Sequence, residues 1–95
     1  MNYKHLHYFW TVLRAGGIVR ASEQLPLTPQ TLSGQIKQLE ERIGQPLLRK
    51  VGRGVEPTDA GRLVMRYADE IFALGDSMQE ALATGRDPRR TAVLR

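Results

Sequence analysis

The side chains best suited to chemistry sit at the start of one helix. The run Thr28-Pro29-Gln30-Thr31-Leu32-Ser33-Gly34 opens a segment whose apolar residues, Leu32, Ile36, Leu39 and Ile43, recur on one helical face. Thr28 is placed to accept hydrogen bonds from the free N–H groups of the first turn. Pro29 takes the first helical position, where its missing N–H costs nothing. The apolar stripe turns Pro29, Gln30, Ser33, Gly34 and Lys37 away from the core. A glutamine amide pairs with an adenine edge through two hydrogen bonds, and the methyl of Thr31 suits a thymine methyl. Ser33 suits a base edge or a phosphate, and Lys37 a phosphate. The free N–H groups and the positive end of the helix dipole favour phosphate as well. Taken singly, each of these residues is also an ordinary solvated side chain. The nucleic-acid reading rests on their clustering. Gly34 costs the helix about 1 kcal/mol against alanine. It either admits a close DNA backbone or is merely tolerated, and the sequence leaves both open.

A second cluster follows. Arg49, Lys50 and Arg53 fall within five residues that contain no acid, and Arg53 stands between Gly52 and Gly54. Narrow A·T-rich minor grooves attract arginine; a solvated turn arginine is the alternative. The formal charge of +4 is itself weak support. The stretch 86–95 holds four arginines against Asp87, which leaves ten basic and nine acidic side chains in the first 85 residues. Local segregation carries more weight, because the acids crowd into Glu40–Glu41 and the stretch from Asp59 to Glu80.

Other chemistries find no support. The chain has no cysteine, which excludes disulfides and thiolate metal sites. His5 and His7 lie two apart on a helix and do not face each other. No carboxylate constellation, phosphate loop or metal spacing appears. The expectation is a non-enzyme without catalytic residues, metal or cofactor. Tyr3, Tyr8, Phe9, Trp10, Tyr67 and Phe72 fit buried faces better than an RNA-stacking platform. The start MNYKHLHYFW precedes no long apolar run, so a cytoplasmic protein without a membrane segment is expected.

The elements that must hold these clusters are legible. A first helix spans Tyr3 to Ala15 with Leu6, Phe9, Trp10 and Leu13 on one face, and Gly16-Gly17 stops it. A short second helix covers about Ile18 to Gln24 and ends before Pro26. The third helix closes at Gly44. LLRKVGRGVEPT reads as a β-hairpin around Gly52-Arg53-Gly54. Thr58 caps a last helix that runs to about Thr84 and Gly85, with Asp59 in its first turn. At about 27 residues it is about 40 Å long.

That long helix carries Ala60, Val64, Tyr67, Ile71, Leu74, Met78 and Ala81, a heptad seam. Three short helices and a hairpin cannot cover it, so the exposed part implies a partner. A second copy is expected, paired through Val64, Tyr67, Ile71, Leu74 and Met78; packing on a further domain is the alternative. The predicted fold is mainly α: a winged helix-turn-helix of three helices plus a β-hairpin wing, followed by a long dimerisation helix. The expected divisions are 1–57 for the winged domain, 58–85 for the linker helix and 86–95 for a hinge. The predicted function is sequence-specific binding of duplex DNA, with helix 28–43 in the major groove and wing 48–57 at the minor groove. A winged-helix module that binds protein instead of DNA is the rival.

The order of parts resembles the DNA-binding domain of the LysR-type transcriptional regulators, from about Tyr3 to Leu82. HLHYFWTV, RASEQLPLT, LSGQIKQLEERIGQPLLRK and GRGVEPTDAG carry the likeness. TPQTLSGQ, Tyr8-Phe9-Trp10 and YADEIF are similar to one branch, the activators of sodium/proton antiporter genes. Departures fall at Pro29-Gln30, where the family commonly has Gln then Pro, and at Gly34, where it often has arginine. Base contacts are therefore not carried over at those three positions. The resemblance implies a cytoplasmic regulator of transcription that binds double-stranded promoter DNA as a homodimer or tetramer at interrupted, palindrome-like sites. It also implies a larger C-terminal inducer-binding domain beyond the hinge.

Overall fold

A computed structural model of the chain describes residues 1–87. Its element order is α1 (Tyr3–Ala15), α2 (Ile18–Gln24), α3 (Pro29–Ile43), β1 (Leu48–Val51), β2 (Gly54–Pro57) and α4 (Asp59–Thr84). All of the helices but α2 begin where a side chain satisfies free N–H groups. Asn2 accepts from Lys4 and His5, Thr28 from Thr31, and Thr58 from Gly61. β1 and β2 form an antiparallel hairpin in the register Leu48↔Pro57 to Val51↔Gly54. Its two-residue loop is Gly52-Arg53, with Gly52 at φ +57°, a conformation glycine adopts without steric cost.

The core lies where α1, α2 and α3 meet. Leu6, Phe9, Val12, Ala21, Leu32, Ile36, Leu39, Leu47 and Ala68 are buried together. The buried row of α1 differs from the expected one: Val12 and Thr11 are buried, whereas Trp10 and Leu13 are half-buried at the flank. The reason is that α1 is covered by three helices, α2, α3 and α4, and α4 takes the Trp10 side. There the Trp10 indole N–H donates to Asp69 Oδ1 at 2.8 Å, and the Trp10 and Phe72 rings lie 4.9 Å apart. The Thr11 hydroxyl is satisfied by donating to the His7 carbonyl at 2.8 Å.

α4 docks only by its first half. Gly61 and Ala68 are buried, and Met65 and Phe72 pack half-buried on the core, a row spaced 4, 3 and 4. Gly61 is required there, because a Cβ would lie 2.0 Å from the Leu47 carbonyl oxygen. The sequence-derived seam runs beside this row. Its start, Ala60 and Val64, packs half-buried on the core, Tyr67, Ile71, Leu74 and Met78 are exposed, and Ala81 at its end is buried. The helix then projects beyond the winged domain, which gives the molecule a 50 Å long axis against 26 and 20 Å. Within the expected hinge, 88–95 lies outside the described residues.

Candidate nucleic-acid interface

The helix-turn-helix is set by its buried joint. Ala21 of α2 is fully buried in the common core with Leu32 and Ile36 of α3. The Leu25-Pro26-Leu27 turn carries the chain to the Thr28 cap. Thr28 Oγ1 accepts from the Thr31 N–H at 3.2 Å and donates to Thr31 Oγ1 at 3.0 Å. The Thr31 hydroxyl accepts this bond and keeps its own O–H to donate, and its methyl remains for apolar contact. Gln30, Thr31, Gly34 and Lys37 are exposed, and Pro29 and Ser33 are half-buried. A Cβ at Gly34 would meet nothing within 4 Å. The packing of this domain therefore does not require glycine at that position.

The structure brings the two predicted clusters onto one surface. A groove of about 710 Å³ separates the start of α2 and the middle of α3 from the wing. Ser33 and Lys37 line it from α3, and Arg49, Lys50 and Arg53 from the hairpin. The predicted Thr28, Pro29, Gln30 and Thr31 lie outside this groove, at the N-terminal end of α3. Arg49 forms a cross-strand ion pair with Glu56 at 2.9 Å, both half exposed. Lys50 occupies the alternate side of β1, opposite Val55.

Two groove residues escaped the sequence reading. Arg20 of α2 adds a fifth cation. Its signal was its position three residues after Gly17, at the start of a helix whose other face is buried by Ala21. Glu40, which the sequence groups with acids segregated from the basic hairpin, lines the same groove. Its carboxylate Oε2 accepts from the backbone N–H groups of Leu47 at 2.6 Å and Leu48 at 3.2 Å. No spacing rule reveals that bond, because it joins residues seven and eight apart across a turn.

The exposed face of α4 is different in kind. Tyr67, Ile71, Leu74 and Met78 are 61%, 37%, 48% and 58% exposed, flanked by Leu63 and Leu82. Ile71, Leu74, Gly75, Met78, Ala81 and Leu82 line a mainly apolar depression with Asp87 at its edge. Among the described residues, no helix is long and apolar enough to cross a membrane.

Comparison with known proteins places this geometry. The family described as "Bacterial regulatory helix-turn-helix protein, lysR family" matches residues 3–62. The transcriptional activator protein NhaR of Escherichia coli (strain K12) is 53% identical over 78 residues, 82% of this chain and 26% of that protein. Among solved structures, the BenM_DBD/benA site 1 DNA complex matches with a TM-score of 0.80 and 31% identity, over 88% of this chain and 98% of that one. The CbnR_DBD–DNA complex matches with a TM-score of 0.76 and 32% identity, over 90% and 100%. The chain spans about a quarter of the length of the curated NhaR relatives it matches.

Proposed function

The chain belongs to the lysR family of bacterial regulatory helix-turn-helix proteins, and from that premise we propose that it binds duplex promoter DNA sequence-specifically as the DNA-binding part of a transcriptional activator. The observation that carries the reading is the groove beside the middle of α3 that Arg20, Lys37, Arg49, Lys50 and Arg53 line, with the capped start of α3 at its N-terminal end. In this reading the exposed edge of α3 enters the major groove, Gln30 reads a base, and Arg53 at the wing tip reaches the minor groove. Lys37 and Lys50 hold phosphates.

The same reading makes the protein a homodimer through Tyr67, Ile71, Leu74 and Met78. Val64, half-buried on the core, contributes at the rim. A two-fold pair presents two α3 helices, the arrangement that matches palindrome-like sites. Its chemistry is recognition rather than catalysis, and its action on the chromosome places it in the cytoplasm.

Titration of a promoter duplex at several salt concentrations tests the proposal. Affinity should fall with a log–log slope of about −0.9 per phosphate contacted. Lys37→Ala should make the slope shallower by about that amount and weaken all sequences alike. A flat salt response would instead favour a winged-helix module that binds protein.

A further inference from the structure

The Glu40 side chain crosses from the recognition helix to the base of the wing. Its single oxygen Oε2 accepts two backbone N–H bonds, from Leu47 and Leu48. Leu47 is fully buried, and its peptide is used on both sides. Its carbonyl accepts from the Thr58 N–H at 3.0 Å, and Gly61 of α4 rests directly on that carbonyl. Thr58 Oγ1 completes the joint by donating to the Pro46 carbonyl at 2.7 Å and accepting from the Gly61 N–H at 3.0 Å. One carboxylate thus ties α3 to the point where both the wing and α4 begin. Hydrogen bonds to a charged acceptor are shorter and stronger than neutral ones, and their loss would leave two N–H groups without this partner.

We propose that Glu40 is a positioning residue for DNA recognition. It touches no DNA. It fixes the wing and the start of α4 against the recognition helix, so that α3 and Arg53 engage one duplex together. The inference rests on the DNA-binding reading above.

Electrostatics alone predicts the opposite outcome. A carboxylate in a groove of five cations opposes phosphate, so its removal should tighten binding. Positioning predicts that removal weakens binding unless the acceptor oxygen is kept.

The test compares Glu40→Gln, Glu40→Asp and Glu40→Ala in this chain. Native-state amide exchange at Leu47 and Leu48 is read without DNA. Hydroxyl-radical footprints and salt slopes are read on a duplex that the unaltered chain selects from a random library. Glu40→Gln retains an acceptor and should keep both the slow amides and the wing footprint. Glu40→Ala should speed exchange at these two amides by about tenfold or more while the α3 amides stay protected. It should also lose the wing footprint, with the slope shallower by about 0.9 for each wing phosphate released. Glu40→Asp, one methylene shorter, should behave like Glu40→Ala, and it decides the matter if the alanine variant does not fold. An aspartate or alanine variant that binds as tightly as the unaltered chain, with the wing footprint intact, overturns the proposal. Failure of the unaltered chain to bind any duplex overturns the DNA-binding reading and the recognition role together, while amide exchange still judges the tether.

Discussion

The free faces of α3 and α4 differ in chemistry although both helices are amphipathic. α3 buries Leu32, Ile36 and Leu39 and leaves Gln30, Gly34 and Lys37 in solvent. α4 buries Gly61 and Ala68 along its first half and leaves Tyr67, Ile71, Leu74 and Met78 in solvent. A polar, cation-flanked face loses nothing by standing in water and gains from a polyanion. An apolar face of four large side chains in water is unfavourable until another apolar surface covers it. The contrast separates two kinds of partner: the face of α3 suits a polyanion, and the face of α4 suits the second copy proposed above.

The largest effect is expected where the apolar face is spoiled. Leu74→Glu places a carboxylate in the proposed seam of both protomers. Burial of one leucine contributes about 1.5–3 kcal/mol, and two-fold symmetry counts the change twice. Sedimentation should show monomers, and circular dichroism a folded winged domain, because the Leu6, Phe9, Leu32, Ile36 and Leu39 core is remote from Leu74. A variant that stays dimeric removes the second half of the comparison.

Gly61→Ala attacks the joint that holds the two regions in one frame. The new Cβ would overlap the Leu47 carbonyl, and relieving such overpacking costs about 1–3 kcal/mol. For a domain of this size that is a loss of about 5–20 °C in Tm, read by thermal melting. An unchanged Tm would show that α4 does not seat on Leu47 as described.

Gln30→Ala sharpens the other half. It should relax preference at one base pair per half-site, at about 1–3 kcal/mol. An identical motif from library selection with the variant and the unaltered chain would remove Gln30 as a base reader. Gly34→Ala is the smallest change and settles what the sequence left open. With nothing within 4 Å of the new methyl, helix propensity should raise stability by about 0.5–1 kcal/mol. A fall in DNA affinity would show that the glycine admits a close DNA backbone. A stabilised variant with unchanged affinity would show a glycine that is only tolerated.

The boundaries of α3 and α4 were legible because each has a threonine cap, a sustained apolar period and a closing glycine; α1 was legible from its apolar period and Gly16-Gly17, while its Asn2 cap emerged only in the structure. The wing was legible from its glycines. What stayed hidden depends on contacts between distant segments. Val12 is buried because α1 is sandwiched, and periodicity on one helix does not report how many neighbours it has. The start of the α4 seam is shared with the core because a second row, Gly61 to Phe72, rotates that half toward α1. The burial of Ala21 marks the free face that carries Arg20, but the angle at which α2, α3 and the hairpin meet, which brings Arg20 and Glu40 to one groove, is recorded by no local pattern. The type of chemistry was readable from clustered residues, and its three-dimensional membership was not.

Measuring both associations across one salt series tests the central claim most directly. The chain's affinity for a promoter duplex and its dimer dissociation constant would be followed together as salt rises. The account predicts that DNA affinity falls steeply, with a slope of about −0.9 for each phosphate held by the groove cations, while dimerisation through Ile71 and Leu74 holds constant or strengthens. Equal weakening of both would mean that the α4 face is electrostatic, and a salt-insensitive DNA affinity would mean that the cationic groove does not face phosphate. Either result contradicts the account.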